Sequence, residues 1–313
     1  MTIGIGLGLS RFPFAEVSEF WRWVQLCDEA GVNSLWQTDR LVTREPMLES
    51  LATMAALAGA TRRIRFGMNV ASIALRDPLL LARQCATIDM LSEGRLLPAF
   101  GIGSALSDDY RATGTPTRRR GKKADEALQL VRQLWQQESV DFDGEFFHYQ
   151  RASIAPKPAN PSIPLWIGGS SEAAMQRVAR YGTGWLGGLD TPAQAAVMVR
   201  GIREALKVTG RKIDDDHYGA TFSFRFGDPE EPVAKAAIEG LRQRLNQDPA
   251  DYLAIGDGEL IRSRVLEFVR AGCQKFVLLP ISTGDKDMFI QTQKLIDEVI
   301  TPLDNQSPET LLS

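Results

Sequence analysis

At 313 residues, with 44% hydrophobic and 24% charged side chains, the chain has the make-up of a globular protein able to bury a large core. Its formal net charge of -3 gives no electrostatic reason to expect nucleic acid or an anionic membrane as partner. The cysteines, Cys27, Cys85 and Cys273, lack metal-like spacing and are odd in number, which argues against a zinc site and a disulfide framework. With no basic-then-apolar leader and no apolar run near the roughly 18 residues of a membrane span, a cytoplasmic protein is expected.

Strand-like and helix-like stretches alternate. Ile3 to Leu9 is apolar and glycine-rich, fit for a strand, and Val17 to Ala30 has apolar residues at helical spacing until Gly31 ends it. Ser34 to Thr38 reads as strand two, Met47 to Ala60 as a helix and Ile64 to Val70 as strand three. Asp77 stands where an N-cap belongs and Pro78 at the first helical position, opening a helix to Leu91 that Glu93-Gly94 stops. Leu96 to Gly101 is strand four. The basic run Arg118 to Lys123 reads as a solvated loop leading into a helix from Asp125 to Gln137. Val140 to Tyr149 reads as a hairpin, because Asp143-Gly144 suits a tight turn.

Leu165 to Gly168 is strand five, with its helix from Glu172 to Tyr181, and Trp185-Leu186 a short strand six, with its helix from Pro192 to Val208. Strand seven runs from Ala220 to Phe226. A polar, partly helical stretch from Pro229 to Leu253 precedes a helix at Glu259 to Ala271. Phe276 to Leu279 and Phe289 to Val299 form the last unit. The alternation predicts an α/β protein: a closed (β/α)8 TIM barrel over residues 1–302, with insertions after strands 4 and 7 and a tail at 303–313. A doubly wound sheet would announce its phosphate site as G-x-G-x-x-G after strand one. Gly4-x-Gly6-x-Gly8 has another spacing and lies inside the strand pattern.

In such a barrel the site lies at the carboxyl ends of the strands. Those ends carry Leu9 to Phe12, Asp39 and Arg40, Asn69 to Ser72, Gly101 to Ser104, Gly168 to Ser171, Trp185 to Gly188, Phe226 and Pro280 to Ser282. In Gly168-Gly169-Ser170-Ser171-Glu172, two glycines let the backbone approach a ligand and two serines open a helix. That set can hold a phosphate through amides, helix dipole and hydroxyls, although it also describes an ordinary capped loop. His148 and His217, the only histidines, fall in expected surface positions, so neither a Ser-His-Asp triad nor a metal site can be assembled. An organic cofactor is the economical carrier of any chemistry.

Six stretches, in order, point to one family. Trp36-Gln37-Thr38-Asp39 looks like its W-x-T-D after strand two. Arg76-Asp77-Pro78, Ala82-Arg83-Gln84 and Leu91-Ser92-x-Gly94-Arg95 look like its central signature. Arg120-Gly121 with Asp125 to Leu128 and Leu134-Trp135, then Pro156-Lys157-Pro158, Ile163 to Ser170, and Arg177 to Trp185 complete the series. The chain resembles the luciferase-like flavin monooxygenases, which include bacterial luciferase subunits, alkanesulfonate monooxygenases and deazaflavin-dependent reductases.

The resemblance implies a flavin whose phosphate sits at Gly168, Gly169, Ser170 and Ser171. It also implies a non-proline cis peptide between Asn69 and Val70 against the flavin's central ring, with Gly101 beside it. Many relatives place histidine after the aspartate that matches Asp39 and use it as a base. Arginine cannot accept a proton at neutral pH, so Arg40 either binds an anionic substrate group or flavin hydroperoxide, or pairs with a carboxylate such as Glu45. Luciferase's phosphate-binding arginine after strand four is matched by Ile102, which leaves Arg120 or the Ser170 loop to compensate. Phe12, Phe14, Trp185 and Phe226 are the candidates for the substrate side.

The implied activity is that of a two-component monooxygenase. A separate flavin reductase supplies reduced FMN, and oxygen is used on a small organic substrate. One alternative is hydride transfer with the deazaflavin coenzyme F420, since Gly272 to Ile300 resembles methylenetetrahydromethanopterin reductase. Another is a non-catalytic flavin-binding accessory protein. Helices two and three, with Met47, Leu48, Leu51, Met54, Leu57, Leu79, Leu80 and Leu81, are apolar on more than one face, which predicts a homodimer through them.

Overall fold

The computed structural model describes residues 3–159, 163–245 and 248–305. Its first strands are β1 (Gly4–Leu9), β2 (Ser34–Gln37), β3 (Arg65–Met68) and β4 (Ala71–Ser72), followed by β5 (Leu96–Leu97) and β6 (Ala99–Gly101). A hairpin of β7 (Val140–Asp143) and β8 (His148–Ala152) precedes β9 (Trp166–Gly168), β10 (Gly184–Leu189), β11 (Tyr218–Phe226), β12 (Leu253–Gly256) and β13 (Lys275–Pro280). Outside the hairpin every ladder is parallel. They join β1 to β2, β2 to β3, β3 to β5, β4 to β6, and then β6, β9, β10, β11, β13 and β1 in turn. Since β4 continues β3 and β6 continues β5, the ladders return to their start as eight strand positions, the ring that the alternation predicted.

Helices cover the outside: α1 (Val17–Glu29), α2 (Ser50–Ala60), α3 (Pro78–Leu91), the short α4 (Asp108–Ala112), α5 (Arg120–Gln136) and α6 (Glu172–Tyr181). They continue with α7 (Pro192–Thr209), α8 (Pro232–Arg242), α9 (Gly258–Arg270), α10 (Gly284–Leu295) and α11 (Thr301–Asp304). The start signals work as read. Asp77 accepts from the Leu80 amide at 2.9 Å with Pro78 first in α3, and α7 opens with a capping box of Thr191 and Gln194. None of the described helices is long and apolar enough to cross a membrane.

Alternation along the strands separates two apolar layers. Inside the barrel, Trp36, Leu97, Ala99, Trp166, Leu186 and Val277 form one cluster, with Val70 and Leu279 against it. The other strand faces join the larger cluster beneath the helices. The β1 glycines serve this inner packing: a Cβ on Gly8 would lie 2.5 Å from Leu279 Cδ2 and 2.8 Å from Val277 Cγ1.

Boundaries differ from expectation where a side chain intervenes. Glu49 caps α2 by accepting from Ala52 N at 2.7 Å, so that helix begins at Ser50 instead of Met47. The hairpin turn spans four residues, closed by Gly144 N to Phe147 O at 2.9 Å. Glu126 of α5 pins it by accepting from Glu145 N and Phe146 N, each at 2.9 Å. The polar stretch after β11 contributes α8, a 3-10 turn and β12, which pairs with β11 outside the ring. The last helix starts at Gly284 and passes through a π turn into α11, which buries Leu303 beyond the expected boundary at 302. The rest of the expected tail, 306–313, lies outside the described residues.

Candidate functional site at the carboxyl ends of the strands

Asp39 follows β2 and is 6% exposed. Arg76 grips its carboxylate with two nitrogens at 2.7 and 2.9 Å, the Ser50 hydroxyl donates at 2.7 Å and the Ser72 amide at 3.1 Å. Burial would lower the Arg76 pKa, but the facing carboxylate more than reverses this and holds the guanidinium above its usual value. Its acceptor sites so occupied, Asp39 ties β2, β4 and α2 together and offers no free base. Arg40 is exposed, and among the described residues its side chain has no hydrogen bond or ion pair, Glu45 included. Arg76 was read only as part of a motif. Its partner lies 37 positions away, beyond any local spacing rule.

The peptide between Asn69 and Val70 is cis, as the resemblance implied. Asn69 Oδ1 accepts from the Thr221 hydroxyl of β11 at 3.4 Å, which links opposite walls of the ring. Val70 is half-buried, and its Cγ2 lies 2.8 Å from where a Cβ on Gly101 would stand and 2.8 Å from one on Gly168. Any larger residue at either glycine would push Val70 aside, so three strand ends meet in a tight apolar step.

The next loop supplies polar groups. Gly169 has φ +120, a conformation that side chains rarely adopt. Ser171 caps α6 by accepting from the Ala174 amide at 3.3 Å, and Ser170 Oγ donates to Asp190 Oδ2 at 2.7 Å. Asp190 is 5% exposed. Burial raises its pKa above the ordinary carboxylate value, while the Ser170 hydroxyl and Gly188 amide act the other way. Sequence reading missed Asp190 and Thr221; a carboxylate two residues after Gly187-Gly188 was the available signal for the first. After the neighbouring strand β6, Tyr110 donates to Ile102 O at 2.5 Å and Arg120 Nε lies 3.4 Å from Gly103 O. That puts Arg120 beside the loop that lacks luciferase's arginine.

The expected pocket aromatics face elsewhere. Phe12 packs on Phe14 and Phe20, with centroids 5.4 and 5.6 Å away, beside α1 and α2. Trp185 is fully buried on the helix side of β10, where its Nε1 donates to Gly169 O at 2.9 Å and braces the loop from behind. Phe226 meets Phe224 edge-on at 6.0 Å, and the Lys294 ammonium of α10 stands 5.7 Å over its ring. The physical reason is strand parity: Thr221 faces the barrel interior, so residues an odd number of places along, Phe226 among them, face the helices.

His148, exposed, bonds Asp143 at 2.6 Å, and His217 contacts Thr183 O at 2.8 Å at the amino end of β11. Neither joins the residues around Val70 and Ser170.

A parallel α/β ring with a glycine-walled step and a serine-capped loop at its carboxyl ends defines a site suited to a planar, phosphate-bearing cofactor. The chain belongs to the luciferase-like monooxygenase family, whose model matches residues 4–275. An uncharacterized protein of Mycobacterium tuberculosis is 32% identical over 168 residues, a match that spans 53% of this chain and only 57% of that relative. An F420-dependent glucose-6-phosphate dehydrogenase of Kineococcus radiotolerans is 26% identical over 250 residues, covering 77% of this chain and 72% of its own.

Among solved structures, an F420-dependent secondary alcohol dehydrogenase bound to an F420-acetone adduct superposes with a TM-score of 0.84 at 18% identity. It covers 98% of this chain and 100% of its own. The oxygenating constituent of 3,6-diketocamphane monooxygenase of Pseudomonas putida, in complex with FMN, gives 0.78 at 13% identity, over 96% and 98%. At such identities the structural matches show the fold.

Proposed function

We propose that this chain is an oxidoreductase that lays a deazaflavin across the barrel mouth and uses it for hydride transfer. The observation that carries the reading is the step formed by Val70 against Gly101 and Gly168, with the Gly169–Ser171 loop beside it. These residues fit the group. A side chain at either glycine would displace Val70, and the loop offers a helix start and the Ser170 and Ser171 hydroxyls to a phosphate. The F420-dependent glucose-6-phosphate dehydrogenase that aligns over 77% of the chain supports coenzyme F420 ahead of FMN.

When bound, the deazaflavin supplies or accepts the hydride. The protein's contribution is position. Val70 would be the apolar support for the bound group, the Asn69–Thr221 contact would fix that support across the barrel, and Trp185 holds Gly169 from behind. The Asp39–Arg76 pair sets Ser72 and the loop after β4.

Arg40 favours a second reading, FMN-dependent monooxygenation with reduced FMN from a separate flavin reductase. An exposed guanidinium without a carboxylate partner is a permanent charge for an anionic substrate, and it leaves no proton acceptor where alcohol oxidation needs one. A second copy of the chain would cover α2 and α3. There Ala52, Ala55, Leu80 and Thr87 line a groove of about 390 Å³, and Leu80 is 57% exposed.

Titration of the purified chain with F420, oxidised FMN and, without oxygen, reduced FMN tests the assignment. Tightest binding of F420 is expected. Preference for reduced FMN, with oxygen uptake on a substrate, would replace hydride transfer by monooxygenation. FMN binding without turnover would leave the accessory role, and binding of none would remove the cofactor site.

A further inference from the structure

Resting on the cofactor site above, we propose that Asp190 makes the phosphate loop a charge filter, which takes a singly charged phosphodiester in preference to the dianion of a phosphomonoester. The Ser170 hydroxyl has one proton to donate, and in this structure it gives it to Asp190 Oδ2 at 2.7 Å. The second nearby donor on that carboxylate is the Gly188 amide of β10. Asp190 acts in turn on the Cys273 thiol, which burial keeps neutral by pushing its pKa up to about 12. No cation is among the groups that act on Asp190 within the described residues.

A phosphate entering the loop must either sit one hydroxyl away from this carboxylate or draw Ser170 off it and leave a buried charge without that donor. Both penalties grow with the charge on the phosphate. The amides at the start of α6 attract any anion and do not discriminate in this way. A phosphodiester, such as the one in coenzyme F420, carries a single charge throughout the neutral range. The monoester of FMN carries about -1.5 to -2, with its second ionisation near pH 6. The monoester therefore binds with one proton taken up from solvent, held between the phosphate and Asp190, and the diester binds without it.

Dissociation constants for FMN, riboflavin and F420, read from fluorescence at about pH 6 and about pH 8, test this with no turnover required. In the unmodified chain FMN is expected to bind about tenfold more weakly at the higher pH and F420 to change less than about threefold. Asp190→Asn, nearly the same shape, is expected to flatten the FMN dependence and to recover about that tenfold at the higher pH. Ser170→Ala removes a donor that favours the ionised form, so it should move the FMN transition to higher pH, which a merely structural role would not do. If FMN and F420 bind but Asp190→Asn leaves the pH slope of FMN unchanged, the filter falls and the cofactor site stands. If FMN binds no better than riboflavin at either pH and F420 does not bind, the cofactor site falls, and the filter with it.

Discussion

At the amino ends of the strands the barrel is plugged by large rings. Trp166 meets Trp36 edge-on at 6.4 Å and His217 at 5.2 Å, and the buried Lys275 ammonium donates to Asn33. At the carboxyl ends the same strands finish in Gly101, Gly168 and exposed Gly169 and Ser170, with Val70 as the largest group between them. One end fills space with large rings and the other finishes in glycine backbone packed against Val70. The difference teaches that a barrel interior can be divided into a layer that carries stability and a rim that carries recognition, and that single substitutions should separate the two.

Trp166→Ala offers the strongest test. Emptying the plug should cost about 3–5 kcal/mol in urea unfolding while changing cofactor affinity less than about threefold. A large loss of affinity with little loss of stability would break the division. Arg76→Ala belongs to the rim yet strips Asp39 of its buried partner. It should cost about 3 kcal/mol and also weaken cofactor binding, because the Ser72 amide shares that carboxylate.

Lys275 sharpens the comparison through pH. Burial, and then Arg65, lower its pKa to about 7, against an ordinary value near 10.4 in the unfolded chain. Between those values the unfolded chain holds a proton that the folded chain does not, so stability should rise with pH by up to about 1.4 kcal/mol per unit. Unfolding of Lys275→Met across that window should lack this slope; an unchanged slope would show that another group is responsible. Trp185→Phe should have the smallest effect. Loss of the bond to Gly169 O should cost about 1 kcal/mol and loosen cofactor binding a few-fold, and unchanged binding would mean that the loop holds its shape unaided.

Much of the ring was legible because its signals are local. Asp77 and Pro78 open α3, Ser171 caps α6, and the βα alternation carries through despite the hairpin and the β12 segment. The boundary at Met47 failed because Glu49, two positions on, supplied the cap. In the site, the cis peptide at Asn69–Val70 followed from family wording. The aromatic positions did not follow from anything in the sequence. Whether Trp185 or Leu186 faces inward depends on register, and the β10 ladder shifts between Leu186 and Leu189. Asp39–Arg76, Asn69–Thr221 and Ser170–Asp190 join residues 37, 152 and 20 positions apart, and such pairings become visible only in the folded ring.

The ladder between β1 and β13 pairs Gly4 with Lys275 and Leu7 with Leu278. During synthesis, β1 must therefore wait for nearly the whole chain to be translated before one of its two edges finds a partner. At about 5–20 residues per second that is an interval of tens of seconds. Over that interval the nascent chain carries an unpaired, apolar strand edge. Sites that shield this edge in the cell, and truncations that remove β13, should dominate how much soluble protein is recovered.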